Sequence, residues 1–318
     1  MIRRYCLVAS VAGLLASCAC NRDTRKRIAV VPKGQAQLFW QSVHAGAAAA
    51  ARESNVDILW NGPASETDFT AQLQIVDSMI TQRVDAICLA PDDKSAMVNV
   101  VERAAREHIP VVILDSPVDT QAFVAQVATD NYGAGVMAAQ RMGKILSGKG
   151  KIAEVAVEPG AASAMAREQG FEDGIKKDFP GIQIVDKRYG AADRAKSLNV
   201  AENMLTAHDD LAAMFASNES SAVGAAQAIK SRNTKVKLVG FDWSPGLLDD
   251  LKSGLIDSLV VQDPFRMGHD AVIAAVDKLK GATPKRLQNL PPRVVTKEML
   301  DDPEVQKQLH PDLDQYLK

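Results

Sequence analysis

Two doubly wound parallel α/β sheets, each with helices on both faces, are the fold this sequence predicts, and three observations predict it. From Arg27 onward, short β-branched apolar runs alternate with longer segments of helical period, the order of a parallel α/β sheet. Ten strand candidates are many for one small sheet. A chain of 318 residues, less an N-terminal leader, is long enough for two lobes of roughly 100 to 150 residues, each with its own core.

Taken in order, the first strand is Ile28 to Val31, followed by a helix over Trp40 to Glu53, and the second is Val56 to Trp60, followed by a helix over Phe69 to Thr81. Ala86 to Ala90 leads into a helix over Ser95 to Glu107; Val111 to Asp115 and Val124 to Ala128 are the next two apolar runs, and a helix over Tyr132 to Leu146 follows. A second set of units opens near Lys151: strands Ile152 to Val157, Ile182 to Val185, Ala213 to Ala216, Leu238 to Phe241 and Ser258 to Val261. These are interleaved with helices over Ala164 to Lys177, Arg194 to Thr206 and Ser220 to Ser231, and a last helix covers Met267 to Lys280. No residue-level repeat relates the two sets. From Pro291 onward, with Pro303, Pro311 and many charges, the tail reads as a return strand followed by a surface wrap.

The first eighteen residues form an export signal. Arg3 and Arg4 precede an apolar run from Cys6 to Ala16 that ends in Leu15-Ala16-Ser17-Cys18, a charged region, a short apolar region and small residues before the cut. The run is too short to span a bilayer. Residues 1–17 are read as a lipoprotein signal peptide, Cys18 as the lipidated first residue of the mature chain, and 18–26 as the tether. A plain secretory signal or an uncleaved anchor are the competing readings, and all three place the body outside the cytoplasm. Several acyl chains on one residue anchor stably where a single chain does not.

Composition narrows the function classes. Apolar content of 47% with 24% charged residues is ordinary for a folded protein, and no later stretch approaches the ~20 apolar residues of a membrane helix. The formal net charge of -2 comes from interleaved acids and bases, which disfavours nucleic acid as a partner. Of four cysteines, Cys6 leaves with the signal and Cys18 carries lipid; Cys20 sits in the tether and Cys88 in an apolar run, so no structural disulfide is expected.

Ligands of open parallel sheets bind beyond the carboxyl ends of the strands, so polar residues there are the candidates. Asp115, Asn218, Asp242 and Gln262 stand just past apolar runs, and Asp130 follows Val127-Ala128-Thr129. Any one of them reads as a helix N-cap. As a set, carboxylates and amides can clamp the adjacent hydroxyls of a polyol. Phe39 and Trp40 lie where the first loop enters its helix and offer faces for a sugar ring, or alternatively a hydrophobic staple. Arg167, after a loop of small residues, offers a bidentate guanidinium, with a surface salt bridge as its other role.

From Lys26 to Gly281 the chain resembles the sugar-binding proteins of bacterial ABC importers, the type I periplasmic binding proteins related to ribose-binding protein and to the effector domain of LacI-type regulators. The resemblance rests on Ala90-Pro91-Asp92-Asp93, Leu114-Asp115-Ser116, Ala128-Thr129-Asp130-Asn131, Ala166-Arg167-Glu168 with Gly170-Phe171, Ala216-Ser217-Asn218-Glu219 with Gly224-Ala225, Val239-Gly240-Phe241-Asp242, and Val261-Gln262-Asp263-Pro264. It implies ligand-binding roles for Asp115, Arg167, Asn218, Asp242 and Gln262, aromatic walls at Phe39 and Trp40, and a polar contact at Gln37. It further implies a three-segment hinge, with residues 27–130 plus 263–291 in the N-terminal lobe and 131–262 plus 292–318 in the C-terminal lobe and tail. The ribose-binding pattern has an asparagine where Ala90 stands, an arginine where Ser116 stands and an aromatic where Ala192 stands, so ribose itself is not carried over. The subset reading Phe-Trp in the first loop and Asp-Ser after the fourth strand is more similar.

The implied function is capture of a monosaccharide between closing lobes and delivery to a membrane permease, by a monomer without cofactor or metal. A sensor subunit presenting ligand to a chemoreceptor or kinase is the alternative. An α/β enzyme is a remote one, because the chain has no G-x-G-x-x-G after its first strand, no P-loop and no G-x-S-x-G elbow, and its five histidines lack metal spacing.

Overall fold

The computed structural model describes residues 25–317; the signal peptide, Cys18 and Cys20 lie outside them. The last two tether residues are pinned to the first sheet, Arg25 by Asp57 and Lys26 by Asp85. That sheet grows from β1 (Arg27–Val31), α1 (Leu38–Ser54), β2 (Asp57–Trp60), α2 (Phe69–Thr81), β3 (Ala86–Leu89), α3 (Val98–Arg106), β4 (Val111–Leu114) and β5 (Ala125–Thr129). The chain then enters the second sheet through α4 (Asn131–Ile145), β6 (Lys149–Ala156), α5 (Ala162–Asp178), β7 (Gly181–Tyr189), α6 (Arg194–Ala207), β8 (Leu211–Ala216), α7 (Glu219–Ser231), β9 (Lys237–Phe241), α8 (Pro245–Ser253) and β10 (Ser258–Val261). It returns to the first lobe with α9 (Pro264–Leu279) and β11 (Leu287–Leu290), and crosses a third time into β12 (Arg293–Thr296) before α10 (Pro303–Leu309) and α11 (Leu313–Leu317).

The sheets have matching orders, β11-β5-β4-β3-β1-β2 and β12-β10-β9-β8-β6-β7. All pairings are parallel except β12 on β10. All ten expected strands and eight expected helices are present. Before the tail, two further elements have no counterpart among the expected ones, and the surface wrap of the tail contains two short helices, α10 and α11. β11 is the polar Leu-Gln-Asn-Leu, largely exposed at a sheet edge and without a β-branched residue. α8 is framed by Ser244 as N-cap, Pro245 at its first turn and Gly254 at φ 81° as its left-handed terminator.

Each sheet is covered on both faces. Residues of α1 and α9 pack on one face of the first sheet, with Trp40, Val43, Ala47 and Val272 against Ile28, Val30 and Cys88; α2 and α3 cover the other. Cys88 is buried. In the second lobe α4 and α5 cover one face, where Phe171 stacks on Phe215, and α6, α7 and α8 cover the other. The helix that enters each lobe by crossover lies against that lobe's first helix at backbone contact distance. A Cβ on Gly135 of α4 would stand 2.0 Å from the Arg167 carbonyl of α5, and one on Gly268 of α9 would stand 2.0 Å from the Val43 carbonyl of α1. The tail divides between lobes: Val305 and Leu309 of α10 join the second lobe's core, whereas α11 lies on α1, its Gln315 and Tyr316 carbonyls accepting from Arg52. Among the described residues no helix is long and apolar enough to cross a membrane.

Candidate functional site

The carboxyl ends of both sheets face one narrow cavity between the lobes. Gln37, Phe39, Trp40, Asp115, Arg167, Asn218, Asp242 and Gln262 all line it, as do Lys33, Glu66, Ser163 and Glu219.

Two aspartates anchor the site, one per lobe. Asp115 follows β4 and Asp242 follows β9, and each turns sharply with a left-handed backbone, φ 61° and 62°. Each amide donates to the neighbouring strand, Asp115 to the Val127 carbonyl at 3.0 Å and Asp242 to that of Val260 at 2.8 Å. Aspartate tolerates this backbone region better than most residues, because its short side chain bonds locally.

Arg167 stands between them. It is 4% exposed, its guanidinium lies over the Phe241 ring at 4.4 Å, and its Nε donates to Asn131 Oδ1 at 2.7 Å while one terminal nitrogen donates to the Ser217 carbonyl at 3.1 Å. Its terminal nitrogens are 4.0 Å from both Asp115 and Asp242, close enough for attraction and too far for a direct hydrogen bond. Burial pushes the Asp115 carboxyl up, but Lys33 and Arg167 outweigh it and hold the group below the usual range. At Asp242 burial wins over Arg167 and the Gln262 amide, and the carboxyl is pushed up.

Gln262 couples the crossovers: its amide donates to Asp242 Oδ1 and its carbonyl accepts from Thr129 Oγ1, both at 2.7 Å. Asn218 is both cap and site residue. Its Oδ1 accepts from the Ser221 amide at 2.9 Å at the start of α7, which leaves the amide nitrogen as its available donor. Asp130 is a cap alone, exposed and bonded to the Gly133 amide at 3.0 Å. Phe39 and Trp40 meet edge to face at 4.8 Å and both reach the cavity, Trp40 donating from Nε1 to Glu66 at 2.7 Å. Burial pushes the Glu66 carboxyl up to about 7. Contacts cross the cleft directly: Gln37 reaches the Ala192 carbonyl at 3.5 Å, and the Phe39 amide reaches Glu219 at 3.4 Å. The lobes are therefore closed on each other.

Sequence reasoning missed Lys33, Glu66, Ser163 and Glu219. Lys33 was within reach of the strand-end rule, since it stands two residues beyond β1. Glu66 lies in the loop between β2 and α2, and only the fold brings it to Trp40. Among the described residues no cluster of side chains suits a metal ion.

Residues 28–283 match the family model described as a periplasmic binding protein domain. The chain belongs to that family. Among relatives, the ribose import binding protein of Bacillus subtilis is 33% identical over 234 residues, 74% of this chain and 76% of the relative. The D-ribose/D-allose-binding protein of Pseudomonas aeruginosa is 31% identical over 82% of this chain and 84% of its own. Among solved structures, an ABC transporter solute-binding protein from Agrobacterium vitis with bound D-fucose is 36% identical, with a TM-score of 0.87 over 89% of this chain and 100% of that one. A carbohydrate transporter solute-binding protein from Agrobacterium radiobacter in complex with D-arabinose is 31% identical, with a TM-score of 0.88 over 91% and 100%. This periplasmic binding protein thus has relatives whose ligands are small neutral sugars.

Proposed function

We propose that the chain is the extracytoplasmic solute-binding subunit of an ABC importer, and that it captures a monosaccharide between its lobes and hands it to a membrane permease. The observation that carries this reading is the placement of Asp115, Arg167 and Asp242 around one cavity. The carboxylates accept from sugar hydroxyls, the guanidinium donates to them, and Phe39 and Trp40 offer faces to the ring's C–H groups. Asn218, Gln262 and Gln37 add to the polar lining. Hinge closure around ligand is the established motion of periplasmic binding proteins, and it is driven by contacts that the sugar makes to both lobes at once. A micromolar affinity corresponds to about -8 kcal/mol, within reach of several charge-assisted hydrogen bonds and one stacked face after ordering costs.

The test is a thermal-shift screen with D-fucose, D-arabinose, D-tagatose, D-allose, D-ribose, inositols and nucleosides, followed by calorimetry of any hit. A ligand at a hundred times its dissociation constant stabilises the native state by about 2.7 kcal/mol. A shift with one sugar supports the reading and names the cargo; silence across the sugars overturns it. The lipid anchor at Cys18 belongs to the same proposal. Cells expressing the chain should place it in the detergent phase of a phase partition, and Cys18→Ser should move it to the aqueous phase.

A further inference from the structure

We propose that Lys33 is a positioning residue that acts through Asp115: it holds one carboxylate oxygen of Asp115 fixed, presents the other to the ligand, and ties the two lobes together at the cavity wall. The proposal deepens the sugar-binding reading and rests on it only for the ligand measurements.

Lys33 is 4% exposed. Its ammonium lies 2.6 Å from Asp115 Oδ2, donates to the Ser116 hydroxyl, and donates at 3.0 Å to the hydroxyl of Ser163. Two of the ammonium's three N–H donors go to the serine hydroxyls, and the group sits against the carboxylate as an ion pair. Asp115 Oδ2 is equally committed, accepting also from Ser116 at 3.1 Å and from Ser163 at 3.3 Å. Asp115 Oδ1 is the oxygen that faces Arg167, and it remains for a ligand hydroxyl. Lys33, Asp115 and Ser116 belong to the first lobe, whereas Ser163 stands in the first turn of α5 in the second. The cluster therefore forms only when the cleft is closed.

The charged groups around this cluster come from several elements: Arg167 on α5 acts on Asp115, Asp115 in turn pushes up Asp242 after β9 and Glu66 before α2, and Glu66, Asp92 and Glu158 feel the field of Lys33. Of these, only Asp115 is at ion-pair distance from Lys33. Removing the ammonium leaves Asp115 buried with Arg167 as its one remaining cation at 4.0 Å.

The experiment uses the full chain with ¹³C-labelled aspartate carboxyls, the Asp115 signal being assigned with Asp115→Asn, and D-fucose as the ligand probe. Without ligand, wild-type Asp115 should stay ionised from pH 8 to 5, whereas in Lys33→Met its titration midpoint should rise by at least one pH unit. D-fucose affinity of the variant should then weaken as the pH falls through the raised midpoint, reaching a loss of about tenfold one pH unit below it, while the wild type still binds at that pH. Ser163→Ala keeps the ion pair and removes the side-chain part of the bridge, leaving the backbone amide of residue 163 on the Ser116 hydroxyl: Asp115 should titrate as in wild type while the sugar dissociates several-fold faster. An unchanged Asp115 midpoint in Lys33→Met overturns the proposal. Should that variant fail to fold, Lys33→Gln is read in the same way. Failure of the wild type to bind any sugar overturns the proposed function instead, and the ligand-free titration still decides the role of Lys33.

Discussion

The two lobes put an aspartate at the same place, past the fourth-built strand of each sheet and with the same left-handed turn, yet surround it oppositely. Asp115 in the first lobe has Lys33 at 2.6 Å. Asp242 in the second has no lysine; it takes neutral donors, the Gln262 side chain at 2.7 Å and the Glu219 amide at 3.2 Å. One carboxylate is held below its ordinary range and the other is pushed above it. Backbone symmetry therefore does not carry chemical symmetry. The first lobe supplies the more readily ionised carboxylate and the second the less readily ionised one, so a ligand touching both meets two different acceptors.

The largest expected effect comes from removing what the two share. Arg167→Met should weaken sugar binding by about 3 to 5 kcal/mol in calorimetry, because it leaves two buried carboxylates facing one cavity without their common cation. Asp242→Ala should cost about 2 to 3 kcal/mol of binding, since a buried hydroxyl loses a charged partner. Unchanged affinity in that variant would remove Asp242 from the site.

A smaller effect separates the lobes by pH. Glu66 has a folded-state value of about 7, above its unfolded value, so the folded chain binds more protons in between and stability falls as pH rises through that window. Asp242, also raised, contributes in the same direction; Asp115, depressed, contributes stability that is lost only as pH falls below the unfolded aspartate value of ~3.9. Denaturation at pH 8 and pH 5 should show the wild type gaining about 1 to 2 kcal/mol from Glu66 at the lower pH, a figure reduced for its partial exposure, and Glu66→Gln should flatten that gain. The smallest effects restore the symmetry. Asp130 caps α4 and Asp263 caps α9, each bonded to an amide three residues on at 3.0 Å. Asp130→Ala and Asp263→Ala should each cost about 1 kcal/mol of stability and leave sugar binding unchanged.

Much of this molecule was legible because parallel sheets obey a strong local code. Buried strands such as Ile87-Cys88-Leu89 and Val111 to Leu114 read as unbroken apolar runs, and the topology then sends the residues that follow them to one cavity. Asp115, Asp242, Asn218 and Gln262 were visible on that basis. Arg167 was visible only as a helix-start guanidinium; its place depends on how closely Gly135 lets α4 approach α5. Glu66 and Ser163 were invisible for a physical reason: a loop carboxylate and a hydroxyl at a helix start have ordinary local roles, and only tertiary contacts at 2.7 Å with Trp40 and 3.0 Å with Lys33 give them others. β11 escaped because an edge strand needs no apolar alternation on its open side.

The C-terminal tail acts as a leash. α10 is anchored in the second lobe by Val305 and Leu309, and α11 is riveted to α1 of the first by Arg52, which also lies over the Tyr316 ring at 5.3 Å. Only His310, Pro311 and Asp312 join the two anchors, a span of about 14 Å when fully drawn out. Any swing of the lobes that carries their anchor points beyond that reach must first strip α11 from its seat, so the tail sets a stop on how wide the empty molecule gapes. A chain ended after Leu309 would lose the stop and keep the cleft.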